Sequence, residues 1–244
     1  MQRLHTPCFI IDNEEFSKSI LGFQEALSQQ FTTFAIGYSV KTNSLPYCLK
    51  LAREYGCYAE VVSFDEYNLA LRCGYAPKNI IYNGPMKSKE TFLEAIINGA
   101  TVNIDSWREI DWLLDLPKNR IFNIGIRLNV NLSKVFPVDA QCEDDNSRFG
   151  FSDQTNDFCN VLKRLQTIPN IKIAGLHIHR TTHSRSVDFY YNLISYASQI
   201  IKKYQLSLDY LDIGGGYYGI FKNKPTYQEY CKAIRKSLQD NNIG

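Results

Sequence analysis

Apolar runs of strand length alternate with stretches of helical period along the whole chain. Asp12 opens a first helix in which Phe16, Ile20, Phe23 and Leu27 share a face, and Glu15 stands at capping-box spacing. An apolar run follows at 34–40, and residues 8–11 before the helix form a short extra strand-like stretch. Pro46 suits a helix start and Gly56 a helix end. Residues 58–62 read as a strand, after which Ser63 and Glu66 form a capping box and Gly74 closes the helix. The pattern repeats with strands at 80–82 and 101–104. Ser88 starts the helix between them, which ends at Asn98-Gly99, and Ser106 with Glu109 caps the next one. A long strand is predicted at 121–130, then a polar loop over 131–153 that holds Asp139, Glu143, Asp144, Asp145 and Arg148. A helix near 155–166, a strand at 171–178, a helix at 187–204, a strand at 208–213 and a helix from Thr226 to about Leu238 complete the series.

Strands alternating with helices build a parallel sheet from βαβ units. Seven evenly spaced strands without a linker or low-complexity tract favour a TIM-type (β/α)8 barrel over a doubly wound sheet. Such a barrel takes eight strands and roughly 250 residues, so the chain reads as a barrel one strand short.

Composition narrows the setting. The 244 residues are 44% hydrophobic and 21% charged, which is globular rather than disordered. The net charge of +2 is spread without blocks, so a nucleic-acid partner has no electrostatic footprint. No apolar window is long enough for a membrane helix, and no secretory leader is visible. The seven cysteines stand singly, with no C-x-x-C pair. They read as reduced thiols of a cytoplasmic protein.

A barrel places its chemistry at the C-terminal ends of its strands. Asn83 and Asp105 there are the polar residues expected wherever a strand meets water. Lys41, Arg127, His177 and His179 are less easily explained so, because each interrupts or ends an apolar run from inside. Lys41 is either a lysine snorkelling from a strand end or one held in an apolar setting as a nucleophile for carbonyls. Leu211-Asp-Ile-Gly-Gly-Gly216 is a strand running straight into three glycines, whose bare N–H groups can cradle a phosphate. Gly214, Gly216 and Gly219 also match G-x-G-x-x-G, but too little chain follows for a dinucleotide half-fold, and Pro225 interrupts it. A carbonyl-reactive lysine beside one phosphate site suggests pyridoxal 5'-phosphate (PLP). His177 and His179 lie on one strand face. They are open to two readings: metal ligands with His183 or Asp212 nearby, or one ring stacked on a cofactor while the other packs in the barrel.

The ordered set of motifs resembles the ornithine/diaminopimelate/arginine decarboxylases, fold-type III PLP enzymes with an alanine-racemase-like barrel. It comprises Thr6-Pro7 with Ile11-Asp12, Tyr38-Ser-Val-Lys-Thr-Asn43, Glu60-Val-Val-Ser63, Asn103-Ile-Asp-Ser106, Gly125-Ile-Arg-Leu-Asn129, Arg148-Phe-Gly150, Gly175-Leu-His-Ile-His179 and the glycine run. The resemblance implies that Lys41 binds PLP covalently and that Glu60 is the acidic residue near it. It implies Arg127 near the cofactor and paired with Glu60, and His179 stacked on the pyridine ring. It implies Thr182 at the position of a phosphate-binding serine, and Gly214, Gly215 and Gly216 holding the phosphate. No metal is implied.

Two departures stand out. The second histidine is followed by Arg180-Thr-Thr-His-Ser-Arg185, without the family's glycine. The family's Glu-Pro-Gly motif, and the C-terminal β-domain that forms its homodimer, are not found within residues 1–244. The expectation is therefore a single PLP-binding barrel domain, a fragment with little amino-acid decarboxylase activity alone. A stand-alone PLP-binding barrel and a metal-dependent hydrolase using His177 and His179 are the alternatives. The residues leave open which amino acid is the substrate.

Overall fold

In the computed structural model, residues 7–180 and 182–243 are described. Seven strands form one parallel sheet in the order β1 (Gly37–Ser39), β2 (Tyr58–Ser63), β3 (Ile80–Met86), β4 (Thr101–Ile104), β5 (Phe122–Asn129), β7 (Ile171–Ile178) and β8 (Tyr210–Asp212). A short strand β6 (Phe151–Ser152) pairs beside the C-terminal half of β5. The first and last strands of the path, β1 and β8, are not hydrogen-bonded to each other among the described residues. This is the incomplete barrel that the alternation predicts.

Helices α1 (Asn13–Ser28), α2 (Pro46–Glu54), α3 (Phe64–Arg72), α4 (Lys89–Ile97), α5 (Trp107–Trp112), α7 (Asp157–Gln166), α8 (Val187–Lys203) and α9 (Tyr227–Asp240) alternate with the strands. Several of their starts follow the capping logic, whereas Ser106 makes no cap bond to the first turn of α5 and instead donates its hydroxyl to Glu109. Asp12, Ser63, Ser88 and Thr226 each accept a backbone N–H of the first turn, and Thr226 with Glu229 completes a reciprocal capping box. Alternation along each strand separates two environments. Val61, Tyr82, Ile104, Ile126, Leu176 and Ile178 are buried on the helix side in one continuous core with Tyr67, Phe92 and Leu193. The residues between them face the barrel interior.

Tyr210 fills the lower tier of that interior, and two glycines make the room. A Cβ on Gly175 would lie 2.0 Å from Tyr210 Cζ, and one on Gly125 2.3 Å from Tyr210 Oη. At the open side, α9 lies against α1. Tyr227 hydrogen-bonds Ser19 at 2.8 Å and stacks on Phe23 with ring centroids 4.6 Å apart.

Three expectations differ from the structure. Residues 8–11 form no strand and lie exposed, because no strand among the described residues offers them a ladder. The segment 131–153 is not all loop. It holds the helical turn α6 (Leu132–Val135), capped by Asn131 at Ser133 N–H, and strand β6. The runs at 34–40 and 208–213 contribute only three residues each to the sheet. All seven cysteines are free, and among the described residues no helix is long and apolar enough to cross a membrane.

Candidate functional site

Register brings the polar residues of different strands into one tier at the C-terminal mouth. Ser39 pairs with Glu60, and the row Arg127–His177–Asp212 runs across β5, β7 and β8. Asn83, next to the outward-facing Tyr82 in β3, faces inward by strand alternation, and the register of β3 shifts only after Tyr82. This tier is a connected polar network. Tyr210 Oη donates to Asn103 Oδ1 at 2.9 Å, and Asn103 Nδ2 donates to Asn83 Oδ1 at 2.7 Å. Asn83 Nδ2 then donates to Glu60 Oε1 at 3.2 Å and to Asp212 Oδ2 at 3.1 Å. Ser39 Oγ bonds Glu60 Oε2 at 2.8 Å, and Asp212 Oδ1 accepts the Gly214 N–H at 3.0 Å. Burial pushes both the Glu60 and the Asp212 carboxyls up from the ordinary carboxylate range.

Arg127 does not pair with Glu60. Its guanidinium donates to Asp105 Oδ2 at 2.8 Å, with both side chains nearly excluded from water, and lies over the Phe149 ring. β4 and β5 are adjacent, whereas Glu60 sits two strands further round; adjacency selects the partner. Asp105 Oδ1 also accepts the Gly150 N–H at 3.0 Å, which ties the loop before β6 to the mouth. Behind this pair lies a second buried one. Lys87 bonds Glu109 at 3.2 Å and donates to the Gly84 and Asn103 carbonyls. Glu109 in turn accepts the Asp105 N–H at 2.9 Å.

His179 ends the inner face of β7 beyond His177, with the rings nearly parallel and 6.5 Å apart. Its Nδ1 accepts the Gly215 N–H at 3.4 Å, so the ring proton sits on Nε2. Burial, with His177 beside it, pushes the His179 pKa down to about 3, and burial pushes His177 well below its usual value. Both rings are therefore neutral at physiological pH. His177 Nδ1 is buried without a hydrogen-bond partner. Among the described residues no three His, Cys, Asp or Glu side chains gather as metal ligands.

The glycine run is shaped by that imidazole. Gly214 has φ +67°, and a Cβ there would lie 2.3 Å from His179 Nδ1. Beside Gly215, by contrast, there is open space. The Gly214 N–H is committed to Asp212 and the Gly215 N–H to His179, so among the described residues Gly216 carries the one N–H of the run without such a partner.

Lys41 sits in the turn directly after β1. It is exposed rather than held in an apolar setting, because the turn carries it past the sheet. Val40 anchors the turn, buried and with its N–H on the Glu60 carbonyl at 2.9 Å. The Lys41 ammonium is close enough to oppose the upward shift of Glu60 and to add to the downward shift of both histidines. A cleft of about 270 Å3 opens beside it toward Ser63 and Glu66 of α3. Thr182 is buried and its Oγ1 accepts the Arg185 N–H at 3.0 Å. Arg180 is paired with Asp145 at 2.7 Å, not extended into solvent.

From sequence Asn83 and Asp105 are ordinary strand ends, Glu109 has only a capping role, Asn103 appears only within a motif, and Tyr210 and Lys87 carry no signal. One signal for Asn103 was available: it stands alone among apolar neighbours in β4.

The donor set suits a phosphorylated aromatic aldehyde. It offers an amine at Lys41, a neutral flat ring at His179, and glycine N–H groups with open space beside them. Comparison with known proteins agrees. The family model described as pyridoxal-dependent decarboxylase, pyridoxal binding domain, matches residues 17–243. A probable chloroplastic diaminopimelate decarboxylase of Oryza sativa subsp. japonica is 28% identical over 219 residues, covering 86% of this chain and 44% of the relative. The diaminopimelate decarboxylase of Aquifex aeolicus is 27% identical over 238 residues, covering 93% and 54%. The crystal structure of Helicobacter pylori diaminopimelate decarboxylase complexed with L-lysine superposes with a TM-score of 0.80 at 20% identity. That superposition covers 99% of this chain and 62% of that one. The chain thus spans about half the length of the curated relatives it matches.

Proposed function

The chain belongs to the pyridoxal-dependent decarboxylases, matching their pyridoxal binding domain, and from that premise we propose that residues 1–244 are the PLP-binding barrel domain of an amino-acid decarboxylase of the diaminopimelate type. The observation that carries this reading is the contact between His179 and the glycine run. A neutral imidazole is seated against Gly214 and Gly215 at the same mouth that Lys41 borders.

In this reading Lys41 Nζ holds the cofactor aldehyde. The N–H of Gly216 holds its phosphate, joined by that of Gly215 once released from His179, with Gly214 shaping the turn and Thr182 adjoining it. His179 covers one face of the ring. Bound PLP supplies an electron sink for breaking the bond between the α-carbon and the carboxylate of an amino acid. The protein's own residues do the rest. His179 keeps a flat, uncharged surface because burial denies it a proton. Arg127, neutralised by Asp105, borders the site as a fixed group rather than a free cation. Glu60 faces the Lys41 turn and handles protons there. The amino-acid substrate class rests on the relatives, a homodimer on the family resemblance, and a cytoplasmic location on the singly placed cysteines.

The test is reconstitution. Added PLP should give the visible absorbance of a lysine-bound aldehyde. Borohydride should fix it on the peptide containing Lys41, and Lys41→Ala should abolish both. Labelling that survives Lys41→Ala would reject the assignment. A stand-alone PLP-binding barrel predicts the same labelling, and is separated by whether decarboxylase activity appears once the remaining length of the relatives is supplied.

A further inference from the structure

Two carboxyl groups, Glu60 and Asp212, share one amide donor inside the barrel, Asn83 Nδ2, and neither has an ion-pair partner among the described residues. The two buried cations nearby are spent elsewhere. Arg127 is neutralised by Asp105 and Lys87 by Glu109. His177 and His179 are neutral. From β1 only Ser39 and the exposed Lys41 face the pair. From β8 Tyr210 adds a neutral phenol, whose proton is given to Asn103. Two adjacent, partly buried carboxylates with no salt bridge, and only the exposed Lys41 ammonium facing them, do not both ionise at neutral pH.

The donors decide which one keeps the proton. Asp212 receives the Gly214 N–H on Oδ1, and on Oδ2 the amides of Asn83 at 3.1 Å and Asn103 at 3.4 Å. All three are N–H donors, and the backbone one cannot reverse. Glu60 receives one such donor, from Asn83; its other oxygen meets the Ser39 hydroxyl, which can accept as readily as donate. We infer that Asp212 is the ionised member and that Glu60 carries a proton at neutral pH, donated from Oε2 to Ser39 Oγ. Glu60 is thereby a stored acid beside the Lys41 turn, and Asp212 is the positioning residue that keeps the proton on it. The use of this proton by Lys41 rests on the proposed function above; the protonation itself does not.

Infrared spectroscopy of the cofactor-free protein at pH 7 tests the assignment without reference to PLP. The expected result is an absorption from an un-ionised carboxyl group. Carbon-13 labelling of glutamate side chains should shift it and labelling of aspartate should not, and Glu60→Gln should remove it. In thermal unfolding at pH 7, Glu60→Gln should melt at or above wild type, because it replaces a group that is already neutral in the fold and ionised when unfolded. Asp212→Asn should melt below wild type, because its amide would face the amides of Asn83 and Asn103. No such band, a band shifted by aspartate labelling, or a band that survives Glu60→Gln would overturn the inference. Glu109→Gln, at the other buried glutamate pushed up by burial, should leave the band in place, and a band that it removes would overturn the inference; failure of PLP binding would leave the spectrum unchanged.

Discussion

Arg127 and Asp105 meet at 2.8 Å inside the barrel mouth, at 8% and 2% side-chain exposure. Removing one member of such a pair leaves the other charge buried without compensation. Asp105→Ala also strips the partner of the Gly150 N–H. It should lower unfolding free energy by about 3–5 kcal/mol in urea titration. A loss under about 1 kcal/mol, the range of an exposed pair, would show that this pair is solvated.

Gly214 and Gly215 should respond oppositely to alanine. At Gly214 the added Cβ meets the His179 ring in a backbone conformation that costs an L-residue roughly 1–2 kcal/mol. Gly214→Ala should therefore displace the imidazole and weaken PLP binding. Gly215→Ala has open space around it and should fold like the wild type. Equal PLP affinities for the two variants would contradict the seating of His179 on the glycine run.

The lower tier makes a pure packing prediction. Gly175→Ala drives a methyl group into the Tyr210 ring at 2.0 Å. Strand β7 cannot retreat, being paired on both sides. A loss of about 1–3 kcal/mol or more is expected from overpacking. The double variant Gly175→Ala with Tyr210→Ala should recover part of it, as measured by thermal melting.

His179 contributes to stability in a pH-dependent way. Its folded pKa, about 3, lies below the ordinary imidazole value of 6.5. The unfolded chain therefore binds the proton first as pH falls. The contribution is intact above about pH 6.5 and is lost progressively from there toward pH 3. Each such group adds a slope of at most about 1.4 kcal/mol per pH unit. Glu60 and Asp212, pushed up by burial, act in the opposite sense, so the comparison needed is His179→Phe against wild type. The variant should lose less stability between pH 6.5 and 5 than wild type; parallel curves would mean that His179 is not buried neutral.

Much of this architecture is legible in the residues. The capped starts at Ser63, Ser88 and Thr226, and the bounds of β4 and β7, follow from local chemistry and period alone. Where the reading stopped short, the missing information was non-local. Arg127 finds Asp105 because β4 and β5 are neighbours, a fact of topology rather than of spacing. Asn83 looks like any residue near a strand end until the sheet closes round and brings Glu60 and Asp212, from β2 and β8, within reach of its amide. The exposure of Lys41 depends on how far β1 runs, and three residues of ladder are too few to read from an apolar run. The strand-like run at 8–11 has the composition of a strand but no partner.

The central claim is that Lys41 at this mouth binds PLP. Peptide mapping by mass spectrometry after PLP loading and borohydride reduction tests it most directly. The account predicts a single reduced phosphopyridoxyl adduct on Lys41, absent from Lys41→Ala, whose exposed turn position lets the fold survive. An adduct on another lysine, or equal labelling of wild type and Lys41→Ala, would contradict it.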